Sequence, residues 1–245
     1  LQGPTFIRWK PAGLYNAMIA PLFNLKIKGV LWYQGESNTS NPNEYAKTFP
    51  AMINNWRAKW GQGNFPFLFV QLTNFMEDFP EPRESNWAAL RQSQLETLSV
   101  PNTGMAVAID IGEWNDIHPL NKEAVGHRLA LLAQKMTYGE NKLSASSPMP
   151  KESKFEKEKV IISFANVGGG LIIKNGTDLK SFAISNDGVN YVWAKAKIIG
   201  NKVEVWNDKI SNPTVVRYAW DNNPAAANLF SKEGLPSTPF EVKKN

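Results

Sequence analysis

The 245-residue chain is 42% hydrophobic, enough material for one large core or two modest ones. Its net charge of +5 and pI near 9.2 come from lysines that are scattered or mixed with glutamate, as in residues 151–159. No basic face or RNA-binding signature accompanies them, so nucleic acid is not an expected partner, and with no cysteine the chain has no disulfides.

No apolar run approaches the length of a membrane span, and residues 1–10, LQGPTFIRWK, lack the plan of a signal peptide and do not begin with Met. The expectation is a processed product, or a piece whose natural N-terminal part is missing. Residues 1–13 carry two prolines and two glycines and read as an irregular lead-in; residues 14–24 read as a short helix interrupted near Pro21.

Residues 29–33 read as a buried strand that breaks at Gly35 and delivers Gln34, Glu36, Ser37 and Asn38 to a loop at its C-terminal end. A helix is predicted over 43–60, where Tyr45, Phe49, Met52, Ile53 and Trp56 make one apolar stripe, and Gly61 ends it. Residues 66–72, PFLFVQL, give a second strand, followed by a proline-bearing polar loop to Ser85 that is expected to line a site. The next helix covers 86–99. Residues 104–109 are a third buried strand, 110–119 the loop after it, and Asn121 the N-cap of a helix whose stripe is Val125, Leu129, Leu132 and Met136. Strand and helix alternate three times, which predicts an α/β fold with parallel strands joined by right-handed crossovers, a doubly wound sheet. Ligands in such sheets gather at the C-terminal ends of the strands.

From 143 to 159 the composition shifts to Ser, Pro, Lys and Glu and reads as a linker. Beyond it the chain turns to strands, at 160–164, 171–174, 181–185, 191–199, 202–206 and 214–220, with Asn175-Gly176 and Asp187-Gly188 as hairpin turns. Residues 160–245 are thus a small antiparallel β region. The Gly168-Gly169-Gly170 run has no following helix or Lys-Ser/Thr pair and reads as a turn, not a phosphate loop.

Only two histidines exist, so a histidine mechanism must use one of them. His127 falls inside a predicted helix. His118 sits in the loop after the third strand, where an imidazole can take and return a proton near neutrality. Asp116, two residues earlier, is one candidate for orienting that imidazole, and Asp110 at the strand end is another. Gln34 offers an amide donor for an oxyanion, and Gly35 lets the backbone turn beside it. Glu36 can pair with an arginine or bind loop amides, and Asn38 can cap the turn or join the donors. No second suitable histidine or ligand cluster supports a metal site, and no cofactor is expected.

Three separated stretches, WYQGESN at 32–38, DIHPLNK at 116–122 and VRYAWDNNPAAANLFSKEGLPSTPF at 216–240, resemble sialate O-acetylesterases of the SGNH hydrolase group. The resemblance covers most of the chain from Leu14 onward. It implies that residues 1–142 are the C-terminal part of an SGNH (flavodoxin-like) domain. By analogy, Gln34, Gly35 and Glu36 fall on the family's Gln-Gly-Glu segment and His118 on its base. It also implies hydrolysis of an acetyl ester, typically the 9-O-acetyl group of a sialic acid or related acetylated sugar, through an acyl-enzyme without a metal. A periplasmic or secreted location is implied as well.

Two departures stand out. The broad group places Asp three residues before His, whereas position 115 is Asn and Asp116 is two before. The family's nucleophilic serine lies in a Ser-Ser-Trp-Gly-Gly-like segment that is absent here, so the nucleophile is expected outside this chain. Ser37 begins like a nucleophile elbow, but Thr39 replaces its second glycine. The strand at 29–33 is then expected to be an open sheet edge, prone to association or covered by residues 1–13. The competing reading is a non-catalytic carbohydrate-binding or structural module, in which some of the nine Trp residues stack on sugars.

Overall fold

Three parallel strands frame the first half of the molecule: β1 (Val30–Trp32), β2 (Phe67–Val70) and β3 (Thr103–Ala106), in that order, with Val30 opposite Phe67 and Phe67 opposite Thr103. The computed structural model describes residues 11–244. Every residue of β2 is buried, because helices cover both faces of the central strand. On one face, Phe67 and Phe69 pack with Phe49 and Ile53 of α1 (Pro42–Trp60). On the other, Leu68 and Val70 pack with Val125, Leu129 and Leu132 of α3 (Lys122–Met136). Each such side chain contributes about 1.5–3 kcal/mol by leaving water. The result is a mixed α/β architecture with a parallel sheet.

The helix ends follow local chemistry. Asn121 accepts the Ala124 N–H at 3.1 Å, Ser85 does the same for Ala88 at 3.0 Å at the start of α2 (Asn86–Glu96), and Gly61 closes α1 at φ +64°. Arg57 lies at the end of the α1 stripe, buried, and its guanidinium donates to the carbonyls of Phe65, Pro101 and Asn102, where β2 and β3 begin. Burial pulls that guanidinium below its ordinary pKa.

The second half comprises β4 (Met149–Phe155), β5 (Val160–Ala165), β6 (Leu171–Ile173), β7 (Phe182–Ser185), β8 (Val192–Trp193), β9 (Lys195–Ile199), β10 (Lys202–Trp206), β11 (Val215–Tyr218), β12 (Leu229–Ser231) and β13 (Phe240–Lys243). They form antiparallel sheets of order β4-β5-β10-β9 and β13-β11-β7-β8, plus the pair β12-β6. One apolar core runs from Phe67 and Leu90 through Val160, Phe182 and Val203 to Phe240.

Four expectations need correction. Residues 143–159 are not all linker: Met149–Phe155 is a sheet-edge strand, masked in sequence by Lys151, Glu152 and Lys154, which it turns outward. The Asn175-Gly176 turn, with both residues at positive φ, does not make a hairpin, because β6 pairs with distant β12. Residues 14–24 are not an α-helix but a π turn, Tyr15–Ile19, run into a 3₁₀ turn, Ala20–Leu22, that carries Pro21. The helix expected over 86–99 leaves α geometry at Glu96 and finishes as a 3₁₀ turn, Thr97–Ser99. The expected cover of β1 by residues 1–13 falls largely outside the described residues. No described helix is long and apolar enough to cross a membrane.

Candidate active site

Because β1, β2 and β3 are parallel, their C-terminal ends open on one edge of the sheet. Gln34 follows β1 there. Gly35 turns the chain at φ +151°, and Glu36–Asn38 form a 3₁₀ turn. A Cβ at Gly35 would stand 3.0 Å from Leu90 Cδ2 and 3.2 Å from Gln94 Nε2, so both the dihedral and the space require glycine. Asn38 Oδ1 accepts from Gln34 Nε2 at 2.6 Å, which fixes the Gln34 amide. The Gln34 carbonyl accepts from the Tyr45 hydroxyl at 3.3 Å and Gln94 Nε2 at 3.4 Å. One N–H of Gln34 and the side-chain amide of Asn38 have no acceptor among the described residues, leaving donors able to stabilise developing negative charge.

Glu36, expected to pair with an arginine or bind loop amides, does neither among the described residues. Its charge is felt by two phenols beside it. Burial raises the Tyr33 hydroxyl, opposed by the Thr73 side chain, with Glu36 adding to the rise. Burial pushes Tyr45 up to about 12, with Glu36 again contributing. Ser37 is exposed on the turn, and its hydroxyl contacts no histidine among the described residues.

His118 stands in the loop between β3 and α3, its side chain 88% exposed. Asp116 Oδ1 accepts the His118 backbone N–H at 2.7 Å and lies 4.0 Å from Nδ1, too far for a hydrogen bond to the ring. Asp110, the other candidate orienter, is occupied: both its oxygens accept from Arg128, at 2.6 and 2.8 Å, binding the β3 end to α3. The Lys122 ammonium, at the start of α3, sits 5.3 Å from the ring centre of Tyr33, the residue before Gln34. Neither Gln34 nor His118 lines a nearby cleft of about 420 Å³, which has Asn74, Asp110, Lys174, Lys180 and Phe230 in its wall.

Sequence reasoning missed Arg128, Arg91 and Asn74. Arg128 had a legible signal, since it falls on the apolar stripe between Val125 and Leu132, where a charge needs a buried partner. Asn74 had none: its Oδ1 accepts the Gly112 N–H at 2.8 Å and its amide donates to Asn223 at 3.0 Å, contacts that only the folded chain creates.

A sequence profile described as carbohydrate esterase, sialic acid-specific acetylesterase, matches residues 2–137. The chain is similar to the sialate O-acetylesterase of Mus musculus, 33% identical over 98% of this chain and 48% of that protein. It is similar also to that of Homo sapiens, 32% identical over 94% of this chain and 49% of that one. It thus spans about half the length of these relatives. Among solved structures, a carbohydrate acetylesterase from Xanthomonas citri superposes with a TM-score of 0.89 and 43% identity, over 95% of this chain and 54% of that one. The profile covers the whole three-strand unit that carries Gln34 and His118, and the agreement in sequence continues through the β-rich half. The chain belongs to the carbohydrate esterase family of sialic acid-specific acetylesterases.

Proposed function

We propose that this chain is the base-bearing half of an esterase that removes O-acetyl groups from sialic acid or a related acetylated sugar. The supporting observation is that the Gln34 turn and the His118 loop emerge from the same edge of one parallel sheet, in a chain of this family. His118 acts as general base and then general acid. Asp116, already bonded to its backbone, orients the ring after a side-chain rotation closes the 4.0 Å gap. Gln34, fixed by Asn38, donates to the tetrahedral oxyanion, with Gly35 setting the turn and Glu36 in the surrounding wall. The attacking serine belongs to a strand beside β1 that these 245 residues do not supply. Removal of the serine proton by His118 permits attack on the acetyl carbon. Return of that proton to the sugar oxygen releases the sugar, and water then cleaves the acyl-enzyme to acetate.

The test compares this chain with the complete protein on an activated acetyl ester and on O-acetylated sialic acid. The complete protein turns over, the isolated chain does not, and His118→Ala lowers turnover by about two orders of magnitude or more with folding intact. Full activity of the isolated chain that disappears on Ser37→Ala would replace the outside nucleophile with Ser37. Near-normal hydrolysis by the His118 variant would remove it as the base.

A further inference from the structure

The cleft of about 420 Å³ lies between the ends of β2 and β3, represented by Asn74 and Asp110, and the β-rich half. Its size is within the roughly 300–1,000 Å³ usual for small-ligand sites. Three charged side chains face it. Asp110 is neutralised by its two bonds to Arg128. Lys174 and Lys180 have no carboxylate partner among the described residues, so the cleft has a surplus of positive charge.

The two lysines are held in place by their backbones. Asn228, 6% exposed, accepts the Lys180 N–H at its Oδ1 at 3.0 Å, takes the Lys174 N–H on its carbonyl at 2.9 Å, and donates its amide to the Asp178 carbonyl at 2.9 Å. One buried residue, through its backbone carbonyl at Lys174 and its side chain at Lys180, thereby pins both ends of the loop that carries the lysines. The Lys174 ammonium is held 4.4 Å from the Phe230 ring centre. Past Lys180 and Ala226 the cleft adjoins an apolar trough walled by Phe79 and by Trp193, which is 41% exposed. A cationic pair next to an aromatic wall suits a ligand that carries both a carboxylate and a sugar's C–H face.

We infer that this cleft is an anion subsite in which Lys174 and Lys180 bind the carboxylate of an acidic sugar. The inference rests on the esterase reading and gives it a specificity device, a hold on the acid group of the sugar. The experiment titrates the chain with N-acetylneuraminic acid, its methyl ester and inorganic phosphate, following amide resonances of 174–180 and 225–230. The acid shifts them, the methyl ester binds at least ten-fold more weakly, phosphate at equal concentration does not displace the acid, and Lys174→Gln/Lys180→Gln weakens the acid at least ten-fold with an unchanged melting temperature. Equal binding of acid and ester, indifference to the lysine substitutions, displacement by phosphate, or no shift at millimolar acid would each overturn the inference. Binding is read without turnover. A catalytically silent complete protein that keeps the lysine-dependent preference would therefore support the cleft while counting against the esterase reading.

Discussion

Gly35 illustrates how much one residue can control at the sheet edge. Its φ of +151° sets the turn between Gln34 and Glu36, and Leu90, Gln94 and Leu72 close off the space where a Cβ would go. Gly35→Ala should therefore cost about 1–3 kcal/mol in stability, from strain in a backbone region that side chains rarely enter. In the complete protein it should also lower turnover at least ten-fold, because Gln34 shifts with the turn. Chemical denaturation and ester hydrolysis measure the two effects, and an unchanged denaturation midpoint would show that the turn relaxes freely. The importance of this glycine was legible in the sequence, since a strand breaking into Gly35 needed a sharp turn. The geometry of His118 was not. Its place between strand and helix could be read from residues 104–121, but the 4.0 Å separation from Asp116 depends on how the loop folds over Asn74.

Among the elements, those with strong periodicity and chemical caps were the most readable. The stripe and Gly61 defined α1, and Asn121 defined the start of α3. β4, β12 and β13 were missed for physical reasons: the first is a charged edge strand, and the other two are short and flank Pro236 and Pro239. The junction between the halves was also invisible in sequence, because it is built around one buried cation in α2. Arg91 donates to the carbonyls of Leu72, Thr73, Asp221 and Asn222 at 2.6 to 2.9 Å, uniting the loop after β2 with the one after β11. Burial pulls its guanidinium down to about 9, with Asp221 opposing the shift, so it remains charged at neutral pH. Arg91→Leu strands four carbonyls and should cost about 3 kcal/mol or more. Arg91→Lys should rescue little, since an ammonium cannot reproduce the planar fork. Urea denaturation checks both, and a loss below about 1 kcal/mol for Arg91→Leu would mean that water replaces the guanidinium.

At the scale of the molecule, β1 is paired on one side only among the described residues, and Leu31 on it is 63% exposed. Leu14, Met18 and Leu25, on the preceding segment, are also exposed. An apolar strand with unpaired amides tends to pair with another chain. The isolated chain should therefore show a mass in solution that rises with concentration, and Leu31→Lys should lower that mass without lowering the melting temperature. A concentration-independent monomer, measured by light scattering, would show that the edge is covered.

The joining of the two halves also bears on how the protein is made. Gln71, beside the central strand, bonds Thr238 at a separation of 167 residues, and the side-chain Oε1 of Gln92 in α2 accepts the Glu241 backbone N–H across 149. At about 5–20 residues per second, roughly ten to thirty seconds pass between synthesis of the first partner and the second. Throughout that interval the nascent chain has its parallel sheet and helices in hand but lacks β13, the strand that lies against α2. Until β13 emerges the flank of α2 that it covers stays open, and chaperone engagement of the nascent chain should drop once residues 240–243 have been made.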